Sequence, residues 1–204
     1  MLTAFTAGLL LITISELGDK TFFIAVILAM KHSRKLVFIG VASALASMTI
    51  LSVLFGQLVS LLPQNYLKYA EITLFFAFGI KLLYQGIKMS DSHCDKEVDE
   101  AKEAIEKADL QRKSKTPLAI LIEAFTLTFV AEWGDRTQIA TIALAARYNA
   151  VGVATGAVLG HALCTAIAVI GGKLIAGRIS ERQLTLAGGC LFLIFGIVAA
   201  VGGV

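Results

Sequence analysis

One hexapeptide occurs twice in this chain, each time inside a long apolar run. Glu16-Leu17-Gly18-Asp19-Lys20-Thr21 interrupts the stretch from Leu2 to Met30, and Glu132-Trp133-Gly134-Asp135-Arg136-Thr137 interrupts the stretch from Pro117 to Arg147. A charged side chain at the centre of a bilayer costs about 3 kcal/mol on insertion scales. Two acids and a base at that depth, in two copies, must recover the cost by pairing or by binding. The two hexapeptides are therefore read as halves of one site.

The apolar runs fix the class. Of the 204 residues 57% are hydrophobic and only 16% charged, and the mean hydropathy of +0.79 lies outside the range of soluble domains. Eight of the fifteen acids fall between Asp91 and Asp109, so the remainder is more apolar still. The expected fold is an all-α multi-pass membrane protein with six transmembrane helices, near 2–30, 36–62, 69–87, 117–146, 151–176 and 183–204. No ten-residue alternating strands suggest a barrel. The first segment would be about 42 Å long as a straight helix, more than a bilayer core requires, so it tilts or breaks near Gly18. Between the second and third segments, Pro63 and Gln64 to Lys68 read as a tight turn. Glu16 interrupts the first apolar run and no basic n-region precedes it. Neither a cleaved signal peptide nor a targeting extension is expected.

Between the apolar halves, residues 89–116 form a charged linker. Val98, Ala101, Ile105 and Ala108 recur there at helical spacing, which predicts a short exposed helix. Lys and Arg concentrate in the loops after the first, third and fifth segments (Lys31, Arg34 and Lys35; Lys88 to Lys115; Lys173, Arg178 and Arg182). The opposite face has only Lys68 and Arg147. The positive-inside rule then makes the linker cytoplasmic and both termini external or lumenal. The net charge of +3 sits in these loops and gives no reason to expect nucleic acid as a partner. Cys94, Cys164 and Cys190 lack metal-ligand spacing and read as packing residues. No cofactor is expected. The expected partners are a divalent metal ion and membrane lipid, with a homo-oligomer left open.

A shift of 116 residues lays Glu16 on Glu132, Gly18 on Gly134, Asp19 on Asp135, Thr21 on Thr137, Gly40 on Gly156 and Thr49 on Thr165. With one further residue, Phe78-Gly79-Ile80 falls on Phe195-Gly196-Ile197. The chain divides into repeats 1–88 and 117–204. Three spans per repeat is an odd number, so the halves enter the membrane in opposite senses, as in inverted-repeat transporters with a midplane site. Gly152, Gly156 and Gly160, spaced by four, prepare the fifth segment for close helix packing.

In a continuous helix Glu16, Asp19 and Lys20 share one face, as do Glu132, Asp135 and Arg136. Thr21, Thr137 and Gln138 add oxygens, and Gly18 and Gly134 allow local unwinding that frees carbonyls. The expected metal ligands are Glu16, Asp19, Glu132 and Asp135. This all-oxygen set suits hard cations such as Ca²⁺, Mn²⁺ or Mg²⁺ better than zinc or copper. Four carboxylates against Lys20 and Arg136 leave a charge of −2, which one divalent cation or two protons neutralise. Competition of that kind is the minimal physics of a cation/proton antiporter. A plainer reading pairs Glu16 with Lys20 and Glu132 with Arg136 as clamps within their helices. Glu71, one turn from Lys68, and Glu123 read as interface residues or gates. His161, whose repeat mate is Leu45, reads as a packed histidine or a proton relay.

The hexapeptides resemble the Glu-x-Gly-Asp-(Lys/Arg)-(Thr/Ser) signature of the GDT family, manganese/calcium–proton exchangers of Golgi, chloroplast and bacterial membranes. The resemblance covers nearly the whole chain. It implies a six-span exchanger moving Mn²⁺ or Ca²⁺ out of the cytosol against protons, with Glu16, Asp19, Glu132 and Asp135 as its functional acids. It also implies a prokaryotic-type plasma membrane or a thylakoid membrane as host. Two other readings compete: a passive divalent-cation channel with the same ligands, and an intramembrane aspartyl protease. The protease signature is similar to Gly-x-Gly-Asp, and its first glycine is missing from Glu16-Leu17-Gly18-Asp19.

Overall fold

Each hexapeptide breaks its helix at the glycine. A computed structural model describes residues 1–89, 95–111, 116–175 and 181–202. In it Gly18 has a φ of 78° and Gly134 a φ of 80°. This left-handed conformation costs an L-side chain about 1–2 kcal/mol and cannot continue a right-handed helix. The first expected span is therefore two helices, α1 (Leu2–Glu16) and α2 (Lys20–Lys31). Two long helices follow, α3 (Arg34–Val59) and α4 (Gln64–Lys88), then the linker helix α5 (Asp95–Gln111). The second half repeats the order with α6 (Pro117–Ala131), α7 (Arg136–Arg147), α8 (Ala150–Ile175) and α9 (Glu181–Val201). The axes of α6 and α7 are bent by 74° from one another.

Among the described residues all regular structure is helical, and α3, α4, α8 and α9 are each long and apolar enough to cross a membrane. Counting the bent pair α6–α7 as one span makes five. Their outer faces carry large apolar side chains, among them Leu54, Phe55, Ile80, Tyr84, Ile194 and Ile197, as lipid contact requires.

Local chemistry sets the helix starts. Thr116 accepts from the Ala119 amide at 3.3 Å ahead of Pro117, and Asn149 Oδ1 accepts from the Gly152 amide at 2.8 Å. The turn expected at Gln64 to Lys68 is instead the first turn of α4, because Pro63 (φ −56°) stands at the cap, where a missing N–H costs nothing.

The halves are crossed rather than side by side. Helix α1 packs on α8 and α6 on α3, while α2 meets α8 and α7 meets α3; α4 packs on α9. The glycines show why. A Cβ at Gly40 would meet the Leu121 carbonyl at 2.8 Å, and one at Gly156 would collide with the Phe5 carbonyl, its repeat-related equivalent. Both contacts require a bare backbone.

The linker helix departs from expectation. It is docked, not exposed all round: Ala101 and Ile105 are fully buried in a cluster with Phe22, Phe23, Val37 and Leu45. Lys20 reaches across to Glu100 at 3.1 Å. Cys94, Arg112, Lys113, Lys115 and Arg178 lie outside the described residues.

Candidate cation site

Ending α1 at Glu16 and starting α2 after Gly18 converts the hexapeptide from a helical face into a helix-to-helix junction. Asp19 becomes the N-cap of α2 and accepts from the Lys20 amide at 2.8 Å; Asp135 caps α7 and accepts from the Gln138 amide, also at 2.8 Å. The one-face arrangement expected for Glu16, Asp19 and Lys20 is thereby lost. In its place, two broken helices present their ends to a common interior, where the dipoles of the helix starts supplement the side chains.

Three of the four expected acids meet. One carboxylate oxygen from each of Glu16, Glu132 and Asp135 lies within 4.8 Å of the other two. Glu16 and Glu132 are buried and Asp135 is partly so. A hydroxyl serves the acids of each hexapeptide: Thr21 donates to Glu16 at 3.2 Å and Thr137 to Asp135 at 2.9 Å. Gln138 Oε1 accepts from the Gly134 amide at 2.7 Å and so braces the break itself. One buried oxygen of Glu16 (Oε1) has no protein partner.

Asp19 stands outside the triplet because Arg136 holds it. The guanidinium donates to Asp19 at 2.7 Å and to the Ser15 carbonyl at 3.4 Å, bridging the two halves. The in-helix clamps are therefore not formed. Arg136 serves the opposite hexapeptide rather than Glu132, and Lys20 is engaged by Glu100 on the linker. Charge counting changes with it. Lys20 no longer offsets the acids, the Asp19–Arg136 pair is neutral, and the triplet carries a formal −3.

Oxygens up to 4.8 Å apart fall within the span of two bonds to a hard divalent cation, about 2.3–2.6 Å each for Ca²⁺. A cluster of like charges with an unpartnered oxygen is one that either a metal ion or protons would neutralise. A family model described as divalent cation/proton antiporter GDT1 matches residues 4–90 and 120–204. The chain belongs to this family. A GDT1-like protein of Synechocystis sp. is 57% identical over 200 residues, covering 98% of this chain and 97% of that one. GDT1-like protein 3 of Oryza sativa subsp. indica is 46% identical over 203 residues (95% and 72%). GDT1-like protein 5 of Arabidopsis thaliana is 42% identical over 218 residues (97% and 95%). No solved structure matches. The family is one of antiporters, not of enzymes, which removes the ground for the protease reading.

Two residues singled out in the sequence have surroundings that the sequence does not give. Glu71, expected beside Lys68, is buried and bonded instead to Arg147, joining α4 to α7. In the repeat their counterparts are Gly188 and Lys31, so symmetry gives no hint of this pair. His161 lines a small pocket together with Glu132, Thr137 and Gln138. His161, read as a proton relay or a packed histidine, was the sequence signal for a polar group at that depth. Cys164, buried, donates to the Thr13 carbonyl at 3.4 Å, as a packing thiol does.

Proposed function

We propose that this chain exports a divalent cation, Mn²⁺ in preference to Ca²⁺, from the cytosol in exchange for protons, through the acids of the two hexapeptides. The observation that carries the reading is the convergence of Glu16, Glu132 and Asp135, contributed by both halves, on one buried locus. The two repeats, 1–88 and 117–204, are inverted three-span units flanking a cytoplasmic linker, with each broken pair counted as one span and both termini external or lumenal. The crossed packing of α1 on α8 and α6 on α3 supports that pairing.

Neutrality sets the exchange ratio. A site of charge −3 is neutral with one divalent cation and one proton, or with three protons. Moving between these states exchanges two protons per cation, and the intermediate states carry net charge in a low-dielectric interior. Asp19 and Arg136 act as a hinge pin between halves: Arg136 fixes the junction of α1 and α2, and Asp19 enters the ligand set only when the pair opens.

The test is transport in proteoliposomes of purified protein, with ⁵⁴Mn or ⁴⁵Ca uptake measured under an imposed pH gradient. Proton-driven uptake abolished by Glu16→Gln and by Glu132→Gln, in protein that still runs as a folded species, is expected. Uptake indifferent to the gradient would make the chain a passive channel, and full activity in both variants would dismiss the site.

A further inference from the structure

The pocket beside the carboxylate triplet is polar on one side of the repeat only. Along it stand Glu132, Gln138, Thr141, Thr49, Ser52 and His161. Their repeat-related positions hold Glu16, Phe22, Ala25, Thr165, Ala168 and Leu45. Phe22, Ala25, Ala168 and Leu45 all belong to the apolar cluster sealed by the linker helix, and Leu45, with Met48, also forms the apolar wall of the pocket. One half of the repeat has a plug where the other has a chamber.

Hydrogen bonding gives the chamber its chemistry. Thr49 donates to the Leu45 carbonyl at 2.9 Å, Ser52 to the Met48 carbonyl at 2.8 Å and Thr141 to the Thr137 carbonyl at 2.8 Å. A hydroxyl has one proton to give. With it spent on the preceding turn, each oxygen turns only lone pairs to the pocket. His161 is 6% exposed, and its Nδ1 has no protein partner. The lining is thus rich in acceptors, with Glu132 shared between chamber and triplet. Of the three clustered acids only Glu132 lines the pocket with His161, so the pocket offers an ion a position apart from Glu16 and Asp135.

We propose that this chamber is a second cation position on the transport route, with His161 as a nitrogen ligand that selects Mn²⁺ over Ca²⁺. The inference rests on the transport reading above and adds the origin of its selectivity. Ca²⁺ takes oxygen ligands in sites of six to eight donors, whereas a first-row transition ion accepts an imidazole. The triplet, all oxygen, holds either ion; a step through the chamber favours the one that binds nitrogen. Glu132 hands the ion from one position to the other.

The test uses full-length protein purified without a histidine tag, with Mn²⁺ and Ca²⁺ as probes. Pulsed electron paramagnetic resonance of bound Mn²⁺ should show ¹⁴N coupling in the wild type and none in His161→Gln. In proteoliposomes the same variant should weaken apparent Mn²⁺ affinity about 10- to 100-fold while Ca²⁺ changes less than about threefold. His161→Leu, which installs the residue found at the repeat mate, should do the same and guards against a folding defect peculiar to glutamine. Absent nitrogen coupling in a wild type that binds Mn²⁺, or an equal loss for both ions, overturns the chamber alone. A wild type that binds neither ion overturns the transport reading and this inference with it. Nitrogen coupling without proton-linked flux overturns the transport reading and leaves the ligand in place.

Discussion

Replacing Gly134 by alanine separates backbone conformation from packing at the heart of the site. The φ of 80° is the only obstacle, because an ideal Cβ there meets nothing within 4 Å. The cost is then the left-handed penalty, about 1–2 kcal/mol, or about 5- to 30-fold in an equilibrium constant. Where the variant keeps the conformation, the whole penalty appears as lost folding stability. Where it relaxes, Asp135 leaves the cap of α7, giving up the Gln138 amide at 2.8 Å and the Thr137 hydroxyl at 2.9 Å. The penalty then appears as weaker Mn²⁺ binding. Unfolding in mixed micelles and calorimetric Mn²⁺ titration together must account for about 1–2 kcal/mol between them. Gly134→Asn is the control, since asparagine enters the left-handed region several-fold more readily. An alanine variant within about 0.5 kcal/mol of wild type on both measures would refute the reasoning. So would an asparagine variant as damaged as the alanine one, for that would point to crowding rather than φ.

The two bases of the hexapeptides should behave differently. Arg136→Met breaks a half-buried cross-half pair and should cost about 1 kcal/mol in unfolding, whereas Lys20→Met loses an exposed pair worth at most about 0.5 kcal/mol. Equal losses would contradict the pairing described. Arg147→Met strands the carboxylate of Glu71 and should cost about 3 kcal/mol, with Glu71→Gln added to it restoring more than half. No restoration in thermal unfolding would mean that the two side chains do not interact. Gly156→Ala drives a methyl into the Phe5 carbonyl and should cost about 2 kcal/mol, while Gly188→Ala, whose nearest neighbour would be Leu82 Cδ1 at 3.8 Å, should be near neutral. Matching melting temperatures for these two variants would argue against close α1–α8 packing.

What the sequence discloses follows from what repeats. The duplicated acids, the helical class and the bare positions Gly40 and Gly156 all survive a shift of 116 residues, and each turns out to serve the contact between halves. The break at Gly18 was foreseeable from length, since the first apolar run is too long for one span. Pairing was not. Arg136 follows Asp135 in the chain yet bonds Asp19, because a helix break redirects neighbouring side chains in ways that helical spacing ignores. Glu71–Arg147 has no repeat counterpart and no local signature, so only the tertiary arrangement brings it together. The docking of α5 through Ala101 and Ile105 was half visible: the apolar stripe was there, its seat on α2 was not.

The crossed packing also bears on how the chain is made. Helix α1 finds its main neighbour in α8, and α4 finds its own in α9, so segments that precede the linker are matched with segments that follow it. While the linker is still being synthesised, the surfaces of α1 and α4 that these later helices cover are unoccupied, and Glu16 lacks the neighbours Glu132 and Asp135. Consolidation of α1 and α4 must wait for α8 and α9, whose surfaces complete theirs.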